Sequence, residues 1–114
     1  MHEYSLIQSL VARVEAEACA HHAVAVHRVV VKIGELSGVD PELFRTAYDT
    51  YRAGTACERV ELEMRRVEAA WRCPACRRPI EKGAVLSCPA CGAPAALDEG
   101  SDAILLETIE MEVP

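Results

Sequence analysis

The chain has 114 residues, 51 % of them hydrophobic, and carries 12 basic against 18 acidic side chains for a net charge of −6 with histidines neutral. That length bounds it to one small domain or one core with a minor lobe, and the apolar content excludes disorder. The acidic balance repels phosphate backbones, which makes nucleic acid a poor partner.

No apolar run approaches the roughly 18 residues of a membrane span. The amino terminus lacks the basic and apolar blocks of a signal peptide, so a cytoplasmic protein without membrane attachment is expected. Thiols stay reduced there. The six cysteines are then metal ligands, redox groups or core thiols, not disulfides. So short a chain also gains from a metal staple.

The chain opens "MHEYSL". With Met1 retained, its amine, the His2 amide and the His2 imidazole lie in line and can close fused rings around one metal. The amide proton must leave, which Ni(II) or Cu(II) promotes, and nitrogen-rich planar sites favour those two ions. Glu3 can add an oxygen or accept a hydrogen bond. Retention of Met1 follows from the bulk of His2, since trimming aminopeptidases prefer small second residues. The plain alternative is a solvated histidine with Glu3 suited to the first turn of a helix. Three residues alone are a weak motif.

From residue 5 the spacing of Leu6, Ile7, Leu10, Val11, Val14 and Ala18 predicts an amphipathic helix to about residue 20. His21 and His22 follow at its negative end, as a solvated loop or an auxiliary metal site. A valine-rich strand comes next. Val29, Val31 and Ile33 face one way, Arg28, Val30 and Lys32 the other, and His27 is a packed or edge residue. Gly34 and Gly38 bracket the turn that leaves it.

Asp40 as N-cap, Pro41 at the first position and Gly54 as stop delimit a second helix. Leu43, Phe44, Ala47, Tyr48 and Tyr51 form its apolar face. Val60, Leu62 and Met64 alternate with Glu61, Glu63 and Arg65. Near the end of the chain, Ile109, Met111 and Val113 alternate with Thr108, Glu110 and Glu112. Both read as half-buried strands with one wet face. Cys19 and Cys57 have no partner spacing and read as small hydrophobes.

Residues 70–97 differ in composition: few large apolar side chains, four cysteines and one internal repeat, "CPAC" at 73–76 and "CPACG" at 88–92. Each pair, Cys73 with Cys76 and Cys88 with Cys91, encloses two residues, and 11 residues separate the pairs. Two such turns aim four sulfurs at the corners of a tetrahedron, the geometry of a closed, structural zinc site. Rubredoxin-like iron and a redox dithiol use similar turns. Arg72, Arg77, Arg78 and Lys82 oppose Glu81 here, but the metal–thiolate charge offsets them. Trp71 alone is no base-stacking platform. Two readings need no metal at the amino terminus. One is a zinc-ribbon adaptor for protein or nucleic acid with no nickel role, the other a thiol redox enzyme. No catalytic relay or phosphate loop is legible, so catalysis is not expected.

The "MHE" start, "VVVKIGELSGVDPE", the paired "CPAC" turns and the closing "ILLETIEMEV" occur in this order. Together they make the chain resemble the HypA/HybF family of hydrogenase nickel-incorporation proteins over essentially its whole length. The resemblance implies an α/β fold of two helices packed on a small three-stranded sheet, with an inserted four-cysteine zinc-ribbon lobe. Residues 1–69 and 98–114 are then a discontinuous nickel-binding domain, and residues 70–97 a zinc-ribbon domain. It implies a nickel metallochaperone serving the large subunit of NiFe-hydrogenase with the accessory GTPase HypB. In some organisms urease and its accessory proteins are served too. The nickel site maps onto Met1 (through its amine), His2 and Glu3, with Asp40 as a neighbour. The structural Zn(II) maps onto Cys73, Cys76, Cys88 and Cys91. Some relatives carry a histidine in or near the zinc lobe, whereas this chain has histidines only at 2, 21, 22 and 27. The acidic first helix is open to docking a GTPase or pairing with itself.

Overall fold

The computed structural model describes residues 2–81, 86–97 and 100–114. Its first element, α1 (His2–Ala20), starts three residues before the apolar repeat and buries Ile7, Val11 and Val14 at helical spacing. Each such side chain contributes about 1.5–3 kcal/mol on full burial. The helix stops where His22 takes a left-handed φ of 53°, with the Ala23 N–H donating back to the Ala18 carbonyl at 2.9 Å. This C-terminal arrangement usually takes glycine. No helix among the described residues is long and apolar enough to cross a membrane.

Strand β1 (Ala25–Gly34) is the centre of a three-stranded sheet. Val29, Val31 and Ile33 enter the main core as their alternation requires. After it, α2 (Pro41–Tyr51) is capped by Asp40, whose Oδ1 accepts from the Glu42 and Leu43 N–H groups at 2.9 and 3.3 Å. Such a cap is worth about 1 kcal/mol. Phe44, Ala47 and Tyr48 are buried, but Leu43 is 47 % exposed, contrary to its expected place on the apolar face. It follows directly on the cap, with its N–H donating to Asp40 Oδ1.

The helical crossover lets β2 (Leu62–Val67) return parallel to β1, from Val29 opposite Leu62 to Gly34 opposite Val67. Val60 is buried just before the strand, in a loop whose carbonyls are claimed by side chains. The Tyr48 hydroxyl donates to the Val60 carbonyl at 2.6 Å, and Arg52 Nη1 donates to the same oxygen at 3.0 Å.

The chain then leaves the core for a second, smaller sheet of β3 (Trp71–Arg72), β4 (Pro79–Ile80) and β5 (Ala96–Leu97), all antiparallel in the order β4-β3-β5. It comes back as β6 (Ile104–Glu112), antiparallel to β1 on the side away from β2. Strand β6 does not keep one alternation. Its register slips between Val30 and Val31, where Glu107 is extra, so Ile104 and Leu106 pack inward before the slip and Ile109 after it. Val113 lies beyond the strand, 53 % exposed. On the sheet's outer face Arg28 bridges both neighbours, with Nη1 to Glu110 and Nη2 to Glu63, each at 2.7 Å.

The joint between the sheets is tight. A Cβ on Gly34 would lie 2.3 Å from the Gly100 carbonyl oxygen and 2.5 Å from that of Ser101, so only glycine fits. The Leu36 N–H donates to the Ser101 carbonyl at 2.8 Å, and the Glu35 N–H to Val67 O at 2.8 Å. Glu35 Oε1 accepts from the Ala69 N–H at 2.9 Å, and the fully buried Ser101 hydroxyl accepts from the Ala70 N–H at 3.3 Å. Both connections to the small sheet are thus fastened to the loop after β1. The radius of gyration, 17.7 Å, exceeds the roughly 13 Å of a compact chain this long, because the small sheet stands off the end of the core.

Candidate metal centres

The two "CPAC" turns fold alike. The Arg77 N–H donates to the Cys73 carbonyl and the Gly92 N–H to the Cys88 carbonyl, both at 2.8 Å. One step further, Cys73 N–H donates to Arg78 O at 2.9 Å and Cys88 N–H to Ala93 O at 2.8 Å. The residue after each second cysteine is left-handed, Gly92 at φ 75° and Arg77 at φ 60°. Gly92 advertises this conformation in the sequence. Arg77 does not, and its equivalence follows only from the repeat.

The four sulfurs of Cys73, Cys76, Cys88 and Cys91 lie within 4.8 Å of one another, and Cys73 Sγ is 3.5 Å from Cys91 Sγ. A tetrahedral ion with about 2.3 Å metal–sulfur bonds needs sulfurs roughly 3.8 Å apart, so one zinc-sized ion fits the set. Cys73 and Cys88 are buried beneath Trp71, Ile80, Ala93 and Ala95, while Cys76 and Cys91 are exposed. The Cys76 N–H, 3.2 Å from Cys73 Sγ, holds that thiol down at about 6. Cys76 is pushed up to about 12 by its sulfur neighbours, Cys91 foremost. Cys91 is also raised: the Ala93 N–H favours its thiolate, but contact with Cys73 and Cys88 outweighs that. Without an ion, one thiolate is easy and further ones are costly; a dication removes that conflict.

The amino-terminal residues are arranged differently. Met1, and with it the amine, lies outside the described residues, as does Lys82 of the basic set in the lobe. His2 is exposed at the first position of α1. Glu3 is only 9 % exposed, and its Oε2 accepts from the Asp40 backbone N–H at 3.3 Å. Asp40 therefore adjoins the start of α1 while its side chain caps α2. Among the described residues, the four cysteines are the only set of three or more His, Cys, Asp or Glu groups spaced to hold a metal; His2, Glu3 and Asp40 do not form another.

The remaining histidines do not converge. His21 lies 3.8 Å from Glu17, and His27, an exposed bulge residue, lies 3.0 Å from Glu112. Cys19 is exposed, and burial raises the thiol of Cys57 in the core. The Glu3–Asp40 bond and the fastening by Glu35 and Ser101 went unread in the sequence, because the partners are 37, 34 and 31 residues apart.

Comparison with known proteins places these features in one context. The family model described as "Hydrogenase/urease nickel incorporation, metallochaperone, hypA" matches residues 1–111. The hydrogenase maturation factor HypA of Aquifex aeolicus (strain VF5) is 38 % identical over 115 residues, covering 99 % of each chain. The solution structure of a HypA protein aligns with a TM-score of 0.80 at 30 % identity, over 100 % of this chain and 98 % of the other. That of the Ni metallochaperone HypA from Helicobacter pylori gives 0.72 at 29 % identity, over 98 % of each.

Proposed function

The chain belongs to the HypA family of hydrogenase maturation factors and nickel metallochaperones, and from that premise we propose that it carries Ni(II) at its amino terminus for delivery to the large subunit of NiFe-hydrogenase. The donors are the Met1 amine, the His2 amide nitrogen and the His2 imidazole, with Glu3 beside them and Asp40 a neighbour. The observation that carries this reading is that α1 begins at His2, with that side chain exposed. The first four N–H groups of a helix have no intrahelical acceptor, so the His2 amide can lose its proton without breaking the helix. The positive end of the helix favours an amide anion and an uncharged amine, each by about 0.3–1 kcal/mol. It disfavours the dication by a similar amount, which suits a site that must let go.

The four-cysteine site is read as holding Zn(II), which supplies folding free energy to residues 70–97 and leaves no coordination position open for chemistry. The protein acts by ligand exchange in the cytoplasm and not as an enzyme. Its partners are the accessory GTPase HypB and the hydrogenase large subunit, with urease accessory proteins where urease is present.

The test is a nickel titration of zinc-loaded wild type against His2→Ala, followed by transfer to the metal-free large subunit. Loss of nickel binding and of transfer, with zinc content unchanged, is expected. Equal affinity in the two proteins would overturn the reading.

A further inference from the structure

Glu3 is one of two buried polar or charged residues among those described, the other being Ser101 at the joint. A carboxylate is seldom buried without a task. Here it accepts the Asp40 N–H, and Asp40 in turn accepts the Glu42 and Leu43 N–H groups. A line of hydrogen bonds thus runs from the first turn of α1 into the first turn of α2. The adjacent residue, Tyr4, meets Tyr51 at the far end of α2 edge to face, with ring centroids 5.7 Å apart and planes at 89°. Two consecutive residues of α1 therefore grip both ends of α2, and His2 is the next residue outward.

We infer that Glu3 is a positioning residue for the amino-terminal nickel site and not one of its ligands. This rests on the terminal chelate proposed above. By holding the Asp40 N–H, the carboxylate fixes the first turn of α1. The amide and imidazole of His2 then stand in one geometry instead of fraying, as helix ends otherwise do. To bind the metal through the same oxygen, Glu3 would have to turn out of its buried place and release Asp40. Nickel would then be held by the nitrogens of the terminus, with the Glu3 carboxylate left on the Asp40 N–H.

Glu3→Gln separates the two roles, because the amide oxygen still accepts an N–H but carries no charge to bind nickel. Whole, zinc-loaded protein is titrated with NiCl2 as wild type, Glu3→Gln, Glu3→Ala and His2→Ala. The readouts are the visible absorption of amide-bound nickel and the NMR shift of the Asp40 N–H. Glu3→Gln should keep the wild-type spectrum and Asp40 shift, with affinity within about threefold. Glu3→Ala should move the Asp40 shift and weaken binding by about tenfold, the scale of one lost hydrogen bond. Equal weakening by Gln and Ala, or a changed spectrum in Gln, would make Glu3 a ligand. Wild-type affinity in Glu3→Ala would make its role structural only. Both results overturn the inference. If His2→Ala binds nickel normally, the terminal chelate itself fails, which is a distinguishable result.

Discussion

The core and the four-cysteine lobe solve the same folding problem by different means. The core closes on twelve buried residues, among them Ile7, Val11, Val14, Phe44 and Tyr48, drawn from both helices and the sheet. The lobe has three, Cys73, Ile80 and Cys88, and two of those are sulfurs of the metal site. Its strands are two residues each, too short to stand alone. One region is held by apolar area that no chelator can touch. The other, on the function proposed above, depends on an ion that a chelator removes.

The largest expected effect follows from that contrast. Removing the metal with a strong chelator, or replacing Cys73 with Ser, should unfold residues 70–97 while the core keeps a cooperative transition. Trp71, the single tryptophan, lies beside the cysteines and reports the lobe by fluorescence, while circular dichroism of α1 and α2 reports the core. Simultaneous loss of both signals would show that the joint at Gly34 and Ser101 makes one cooperative unit of them. Within the core, Phe44→Ala removes a fully buried ring and should cost about 3–5 kcal/mol in urea unfolding, leaving metal content unchanged.

Acidity should separate the regions again, in opposite directions and by smaller amounts. Metal binding in the lobe must strip protons from Cys76 and Cys91, both raised in the ion-free site, so metal affinity falls as pH falls. In the core, burial raises Tyr48 above its ordinary 10.0. The folded state then holds a proton that the unfolded chain releases. This contribution is complete below pH 10 and is lost as pH rises beyond it. Tyr48→Phe should flatten the alkaline fall in stability. An unchanged alkaline limb would assign it elsewhere.

Features written in neighbouring residues were legible in the sequence, and features made by distant ones were not. Asp40, Pro41 and the apolar spacing delimit α2, and the repeated cysteine spacing gives the four sulfurs that the fold brings together. The three strands follow from alternation, but their order, with β1 at the centre, does not, since alternation within a strand says nothing of which strand it pairs with. Leu43 has the spacing of a core residue and lies 47 % exposed, because helical phase alone does not say how wide a stripe the core covers. The slip at Glu107 is invisible for a similar reason: alternation on either side of it looks regular. Gly34 reads as a turn glycine, whereas its need is the close approach of Gly100 and Ser101.

The separation of a nitrogen site at the terminus from a sulfur site in the lobe is tested most directly by blocking the amine. Nickel and zinc are measured in zinc-loaded protein bearing one extra residue before Met1, beside the native chain. Zinc should stay bound and the nickel affinity should collapse. Nickel binding equal to that of the native chain would contradict a terminal site.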